Sequence, residues 1–313
     1  MRVKTALITG SSGFSASHLV ARLRREDPLR VIGVDWLTPT QSICAVDERF
    51  RLDLGEGDKV KRLVKKIKPN LIFHLAGIQH GEAKDVYRTN VLGTIHLLEA
   101  VRKECPSAGI LIIGSAAEYG LVNSCELPVV ETTPCRAQGA YGLSKQVSTM
   151  IGLDYARCAG LKVVVARPFN IIGVGMPESL FAGAILARAR MALNHSGEAV
   201  IKVGNLESQR DFIAVEDAVD AYVRMISGCF WGEIFNICSG HPLKMGDLAK
   251  MLLSHSSRPI RLETNPALVR EGEVNVIYGS GEKARRAFGF VPSVGVKETA
   301  KRMWYSSLAG KPL

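Results

Sequence analysis

Five short runs in the first half of the chain set the strongest limit on its fold: "VKTALITG", "RVIGVDW", "NLIFHLAG", "AGILIIGS" and "LKVVVARPFN". In "TALITG", "LIFHLAG" and "ILIIGS" the apolar residues are nearly continuous instead of alternating. A strand of that kind must be covered on both faces, which is the situation inside a parallel sheet. Between the runs lie amphipathic stretches such as "SHLVARLRRE" and "NVLGTIHLLEAVRKE". Strand, helix, strand in repetition, with right-handed crossovers, predicts an α/β fold built on a Rossmann-type doubly wound parallel sheet. After Asn170 the rhythm changes. "GVGMPESL" reads as a loop, "FAGAILARARMAL" as a helix and "GEAVIKVGN" as a short strand, while "RDFIAVEDAVDAYVRMI" is a strand and helix that can rejoin the main sheet. The expected division is 1–170, with about 208–230, for the dinucleotide-binding part. Residues 171–207 and 231–313 then form a smaller, discontinuous α/β substrate lobe.

Composition narrows the class. A chain of 313 residues with 47% hydrophobic and 22% charged residues is that of a globular protein with a sizeable core. No apolar run reaches membrane-spanning length, and "MRVKTALITG" reads as a strand that starts at once, so the expected setting is the cytoplasm, away from any membrane. The seven cysteines are scattered without C-x-x-C spacing and the histidines lack ligand spacing, so neither a disulfide framework nor a metal site is expected. The net charge of +10 raises the question of nucleic acid. In "DKVKRLVKKIK", however, Val60, Leu63, Val64 and Ile67 take helical spacing and leave the lysines on the outer face. A solvated helix face is therefore expected in place of a nucleic-acid groove, and a basic surface also suits a substrate carrying phosphates.

"ALITGSSGFSASHL" carries the first chemical signal: a strand, a glycine turn and a helix start. Gly10 permits the turn, Gly13 lets a pyrophosphate approach the helix N-terminus, and Ala16 fills the third small position. Asp35 ends the second strand 22 residues after Gly13, the spacing of an acid that holds the adenosine ribose hydroxyls. Since no arginine follows Asp35 directly, NAD is expected in preference to NADP, with NADP possible. Asp53 closes another strand-like run and is placed to meet the adenine.

The second signal is "GAYGLSK". On a helix, Tyr141 and Lys145 share one face, their roots roughly 5–6 Å apart. An ammonium there is expected to pull the phenol below its usual value of about 10, toward proton transfer near neutral pH.

Taken together, "TGSSGFSA", "HLAG", "NVLGT", "GSAAEYG", "YGLSK" and "RPFN" resemble, in order and spacing, the extended short-chain dehydrogenase/reductases that act on nucleotide sugars. "IKVGNLESQRDF", "FNICSG" and "NPALVREGEV" look like the branch of GDP-mannose 4,6-dehydratases and GDP-6-deoxy-4-keto-mannose reductases, the reductases above all. The resemblance implies catalytic roles for Ser115, Tyr141 and Lys145: a hydroxyl on the keto oxygen, a proton donor, and a cation that holds the nicotinamide ribose. It implies cofactor contacts at Gly10, Ser12, Gly13, Phe14, Asp35, Asp53, Leu54, Leu75, Ala76, Gly77 and Asn90, besides Tyr141 and Lys145. For a nucleotide-diphosphate sugar it implies Asn170, Arg210, Arg270 and Glu273, and by analogy a homodimer formed through the helix that begins near Tyr141.

Two departures shape the expected reaction. Dehydratases of this branch carry a glutamate where Ala117 stands; Glu118 is one place late and, on a strand, would face the other way. The Cys and His of the epimerase-reductases have no match beside Ser115, where Ala116 and Ala117 stand. Reduction of a 4-keto-6-deoxy sugar is therefore expected, ahead of 4-epimerisation with retained NAD. Dehydration, or dinucleotide binding without catalysis, stands further behind. His74 is expected to be a packed histidine.

Overall fold

The structure, a computed structural model, describes residues 3–25, 28–37, 45–194, 196–269 and 274–308. Arg270 and Glu273 lie outside the described residues. The apolar runs form strands β1 (Lys4–Thr9), β2 (Leu29–Asp35), β3 (Glu48–Arg51), β4 (Leu71–His74), β5 (Gly109–Ile113) and β6 (Lys162–Pro168). Helices α1 (Phe14–Leu23), α2 (Gly57–Ile67), α3 (Ala83–Tyr87), α4 (Gly93–Glu104) and α5 (Gly139–Ala159) lie between them. Later come β7 (Asn170–Ile172), α6 (Phe181–Leu193), β8 (Ala199–Val203), β9 (Gln209–Ala214), α7 (Val215–Ser227), β10 (Ile234–Ile237) and β11 (Pro242–Lys244). The chain closes with α8 (Met245–Leu253), β12 (Ile260–Thr264), β13 (Val276–Ile277), α9 (Glu282–Phe288) and α10 (Val296–Leu308).

Seven strands make one sheet in the order β10-β6-β5-β4-β1-β2-β3, and every pairing in it is parallel. The order reverses between β1 and β4, the point at which open α/β sheets bind ligands beyond their strand ends. The continuous apolar runs are explained by two cores, one on each face. One gathers Ile8, Phe73, Leu111 and Val164 under α1 and α7; the other gathers Leu7, Ile72, Ile110 and Val163 under α2 and α4. The lysines of α2 are exposed while Val60, Leu63 and Val64 are buried, as the helical spacing required.

The strand in "RDFIAVEDAVDAYVRMI" departs from expectation. Helix α7 does pack against α1 and the main sheet. Its preceding strand β9 instead pairs with β7, β11 and β13 in a small separate sheet. The main sheet takes β10 as its edge strand, from the stretch assigned to the second lobe. The reason is burial: Phe235, Asn236 and Ile237 are each at most 1% exposed, so this run, too, is covered on both faces. A third core of α6, β8, α8 and α10 residues, among them Ile185, Ile201, Leu252 and Trp304, holds much of the later chain together.

Candidate functional site

The strand ends at the switch point converge on one edge. Gly10 has φ +70°, and a Cβ there would stand 2.8 Å from the Ala76 backbone. A side chain therefore cannot be placed where the β1 turn meets the segment after β4. Gly13 opens α1, and no side chain caps that helix, so its first-turn amides form an electropositive rim beside the turn. Asp35 sits 8% exposed at the end of β2. Its two oxygens accept from the Ser12 amide at 2.8 Å and the Leu37 amide at 3.2 Å. A backbone cradle at a helix N-terminus, with an acid at the neighbouring strand end, fits a dinucleotide.

Two cations escaped the sequence reading because they come from a neighbouring strand. Arg51 lies opposite Asp35 in the β2–β3 register, and its Nε donates to the Trp36 carbonyl at 3.1 Å. Arg49, two residues earlier, reaches the Ser12 hydroxyl at 3.5 Å. Inspection of the residues directly after Asp35 could not reveal them. Asp53 accepts from Arg88 at 2.9 Å and from the Gly55 amide at 2.7 Å, with Leu54 buried beside it.

The segment Leu75–Gly77 is held from below. Asn90, 1% exposed on the π-turn Arg88–Leu92, accepts from the Ile78 amide at 2.8 Å and donates to its carbonyl at 3.0 Å. Its amide nitrogen also lies 2.9 Å from the Ser144 hydroxyl on α5. His74 is a packed histidine. Thr9 and Thr94 hydroxyls lie 2.7 and 2.9 Å from its two ring nitrogens, and burial pushes its pKa down to about 3. Thr94 gives its own proton to the Asn90 carbonyl at 2.6 Å. It therefore accepts from Nε2–H, and Thr9 donates to Nδ1.

Ser115, Tyr141 and Lys145 come together above this floor. Ser115 follows β5 and caps the short turn Ala116–Glu118, its hydroxyl accepting from the Ala117 amide at 3.1 Å. Lys145, 7% exposed, donates from Nζ to the Ile113 carbonyl at 2.9 Å, and a Cβ on Gly77 would lie 3.0 Å from that nitrogen. Burial lowers the lysine to about 8, and the Glu118 charge opposes this.

The expected acidification of Tyr141 by Lys145 is corrected here. Burial raises the phenol above its ordinary value, Ser115 pulls the other way through a hydrogen bond, and the Glu118 charge adds to the rise. The ammonium is committed to a backbone carbonyl, so the tyrosine is held as a protonated phenol. For Glu118 only the expected strand is corrected. It lies on a tight 3-10 turn, not a strand, and its carboxylate is sealed beneath Ser115 at 0% exposure. One signal for it was present in the sequence: "SAAE" has the S-x-x-E form of a capping box.

Of the residues expected to bind substrate, Asn170 opens β7 and donates to the Asp211 carbonyl at 2.9 Å. Arg210, on β9, donates to the Gln209 carbonyl at 2.9 Å. Asp211 between them was overlooked. Fully buried, it accepts from the Ser239 amide and hydroxyl, each at 2.7 Å, the Gly240 amide at 2.9 Å and the Gly279 amide at 3.3 Å, tying three segments together.

The profile of the NAD dependent epimerase/dehydratase family matches residues 6–238. The chain belongs to that family. As a member it is an NAD(P)-dependent oxidoreductase or epimerase. Among its relatives is a GDP-6-deoxy-D-mannose reductase of Pseudomonas aeruginosa, 31% identical over 300 residues and 94% of each chain. Another is a GDP-6-deoxy-D-talose 4-dehydrogenase of Aggregatibacter actinomycetemcomitans, 28% identical over 90% of each. Among solved structures, RMD from Pseudomonas aeruginosa complexed with NADPH superposes with a TM-score of 0.85 at 28% identity, covering 98% of this chain and 99% of that one.

Proposed function

We propose that this family member reduces the 4-keto group of a nucleotide-linked 4-keto-6-deoxy sugar, with a GDP-linked sugar as substrate. The observation that carries the reading is the convergence of Ser115, Tyr141 and Lys145 beside the glycine floor, with Ala117 where a dehydratase needs its acid. The two GDP-sugar relatives support the nucleotide and the sugar class. When bound, a reduced nicotinamide dinucleotide supplies the hydride. The chain handles the proton: Tyr141 O–H donates to the carbonyl oxygen as carbon 4 takes the hydride, and the C=O becomes a secondary alcohol. Ser115, one lone pair already engaged by the Ala117 amide, turns its own O–H to the same oxygen. Lys145 holds the nicotinamide ribose. Asn170, Arg210, Arg270 and Glu273 bind the nucleotide-diphosphate sugar in a lobe formed by the later segments. A phenol held protonated by burial suits an acid at neutral pH.

The test supplies GDP-mannose, a 4,6-dehydratase, this protein and either NADH or NADPH, and identifies the product. Cofactor consumption with a 4-reduced GDP-sugar is the expected result. An altered nucleotide sugar without consumption makes the protein an epimerase. On Asp35 we assign preference to NADH, with NADPH accepted through Arg49 and Arg51. Arg51→Ala is expected to lower kcat/KM for NADPH roughly tenfold, the low end for one hydrogen bond to a charged group, and to leave NADH within about twofold.

We further assign a cytoplasmic homodimer to the chain, with α5 at its interface. Leu143 and Met150 on that helix are 43% and 61% exposed, and Tyr87 and Leu92 nearby are 36% and 38% exposed. Sedimentation of Met150→Glu at micromolar concentration is expected to show monomers where the natural chain sediments as a dimer.

A further inference from the structure

Beneath Ser115 lies a charged pair with no part in the proton transfer just described. Glu118 Oε2 accepts from Arg167 Nε at 2.8 Å, and the two side chains are 0% and 5% exposed. Oε1 accepts from the Ser115 backbone amide at 2.8 Å and from the Thr149 hydroxyl of α5 at 3.0 Å. Three donors on two oxygens describe an ionised carboxylate, since a protonated acid would need an acceptor. Room for it has been made by Gly114, where a Cβ would fall 2.3 Å from Oε1.

We propose that Glu118 is a positioning residue for Ser115, Tyr141 and Lys145: its carboxylate, anchored from behind by Arg167, fixes the turn that presents Ser115 and sets a buried negative charge against the tyrosine and the lysine. This rests on the reading of those three residues as the proton-transfer group. The geometry separates the two halves of the pair. Oε1 faces the Ser115 turn and α5, the helix of Tyr141 and Lys145, whereas Arg167 extends from Oε2 toward the Tyr119 hydroxyl and the Glu131 carbonyl, both at 3.4 Å. A cap alone would be served by a neutral amide. A buried charge does something more: it favours the ammonium of Lys145 and disfavours the phenolate of Tyr141.

The groups that face each partner define what a charge change can do. Lys145 is met by Glu118, by the Ile113 carbonyl of β5 and by His74 of β4, which is neutral. Tyr141 is met by Ser115, Glu118 and Tyr222 of α7. Removing the Glu118 charge therefore lowers the titration midpoints of both Lys145 and Tyr141.

The experiment uses the full chain as Glu118→Gln, which keeps an acceptor for Ser115. A second variant, Glu118→Gln/Arg167→Met, spares the fold an orphaned cation. The Lys145 midpoint is read from 13Cε-lysine NMR, assigned with Lys145→Arg, and the rate of ketone reduction is followed against pH. In both variants the lysine midpoint is expected to fall by on the order of one pH unit. That shift drops the protonated fraction at pH 8 about fivefold and leaves pH 6 nearly unchanged, so the alkaline limb of the rate profile moves down with it. A midpoint that stays at its natural position in both variants overturns the proposal and leaves the pair a structural brace. The NMR reading needs no substrate, so a shifted midpoint in a protein inactive on GDP-sugars counts against the proposed reaction and not against this inference.

Discussion

Tyr141→Phe is expected to lower kcat for the proposed ketone reduction by about 10²–10⁴-fold, the range of a positioned proton donor, while dinucleotide binding changes little. The substitution removes one oxygen from a half-buried side chain at the start of α5. Its neighbours keep their own partners: Lys145 retains the Ile113 carbonyl and Ser115 retains the Ala117 amide. The rest of the proposed cofactor cradle lies on other elements, at Gly10–Gly13, Asp35 and Leu75–Gly77, and Lys145 keeps its own place on α5. The loss should thus appear in kcat with nearly unchanged NADH affinity, measured by fluorescence quenching and steady-state rates on one preparation. Equal losses in kcat and in NADH affinity would mean that the tyrosine builds the cofactor site and another group supplies the proton. Because burial raises the phenol, Tyr141 should stay protonated through neutral pH, so a fall in rate as pH rises toward 8 should follow Lys145 and not the phenol.

The placement of much of this candidate site in the fold was legible in the sequence, for a physical reason. In a parallel sheet the functional residues sit at strand ends and in the turns that follow, and those turns carry sequence marks: a glycine at positive φ at Gly10, an acid at Asp35, a hydroxyl at Ser115. What stayed hidden depends on contacts between segments far apart in sequence. Arg51 meets the Asp35 corner only through the β2–β3 register, and Arg167 meets Glu118 across 49 residues. Strand β10 joined the main sheet because of what covers it, which periodicity within "IFNI" cannot report. The lysine–tyrosine effect was misjudged because helical spacing places side-chain roots; where Nζ ends was settled by a carbonyl on β5.

The second large effect is on stability. Arg167→Leu leaves the Glu118 carboxylate buried with only the Ser115 amide and Thr149 hydroxyl to hold it, and removing one member of a buried pair costs about 3–5 kcal/mol. The consequences spread, since Arg167 also lies over the Tyr119 ring at 5.1 Å, and Tyr119 donates to Asn236 on the edge strand β10 at 2.6 Å. A pH series distinguishes the lost charge from the lost volume. Without its cation, Glu118 keeps a folded-state pKa above that of the unfolded chain, because burial already pushes it upward. The native state then holds the proton more tightly, so the variant's stability falls as pH rises above the unfolded value of about 4.3, by at most about 1.4 kcal/mol per pH unit. Urea denaturation should accordingly show a deficit relative to the natural chain that is smaller at pH 5 than at pH 8. A deficit independent of pH would assign the loss to packing around Tyr119. Glu118→Gln/Arg167→Met, which carries neither charge, should recover most of the stability at pH 8, because replacing both members of a buried pair leaves no uncompensated charge.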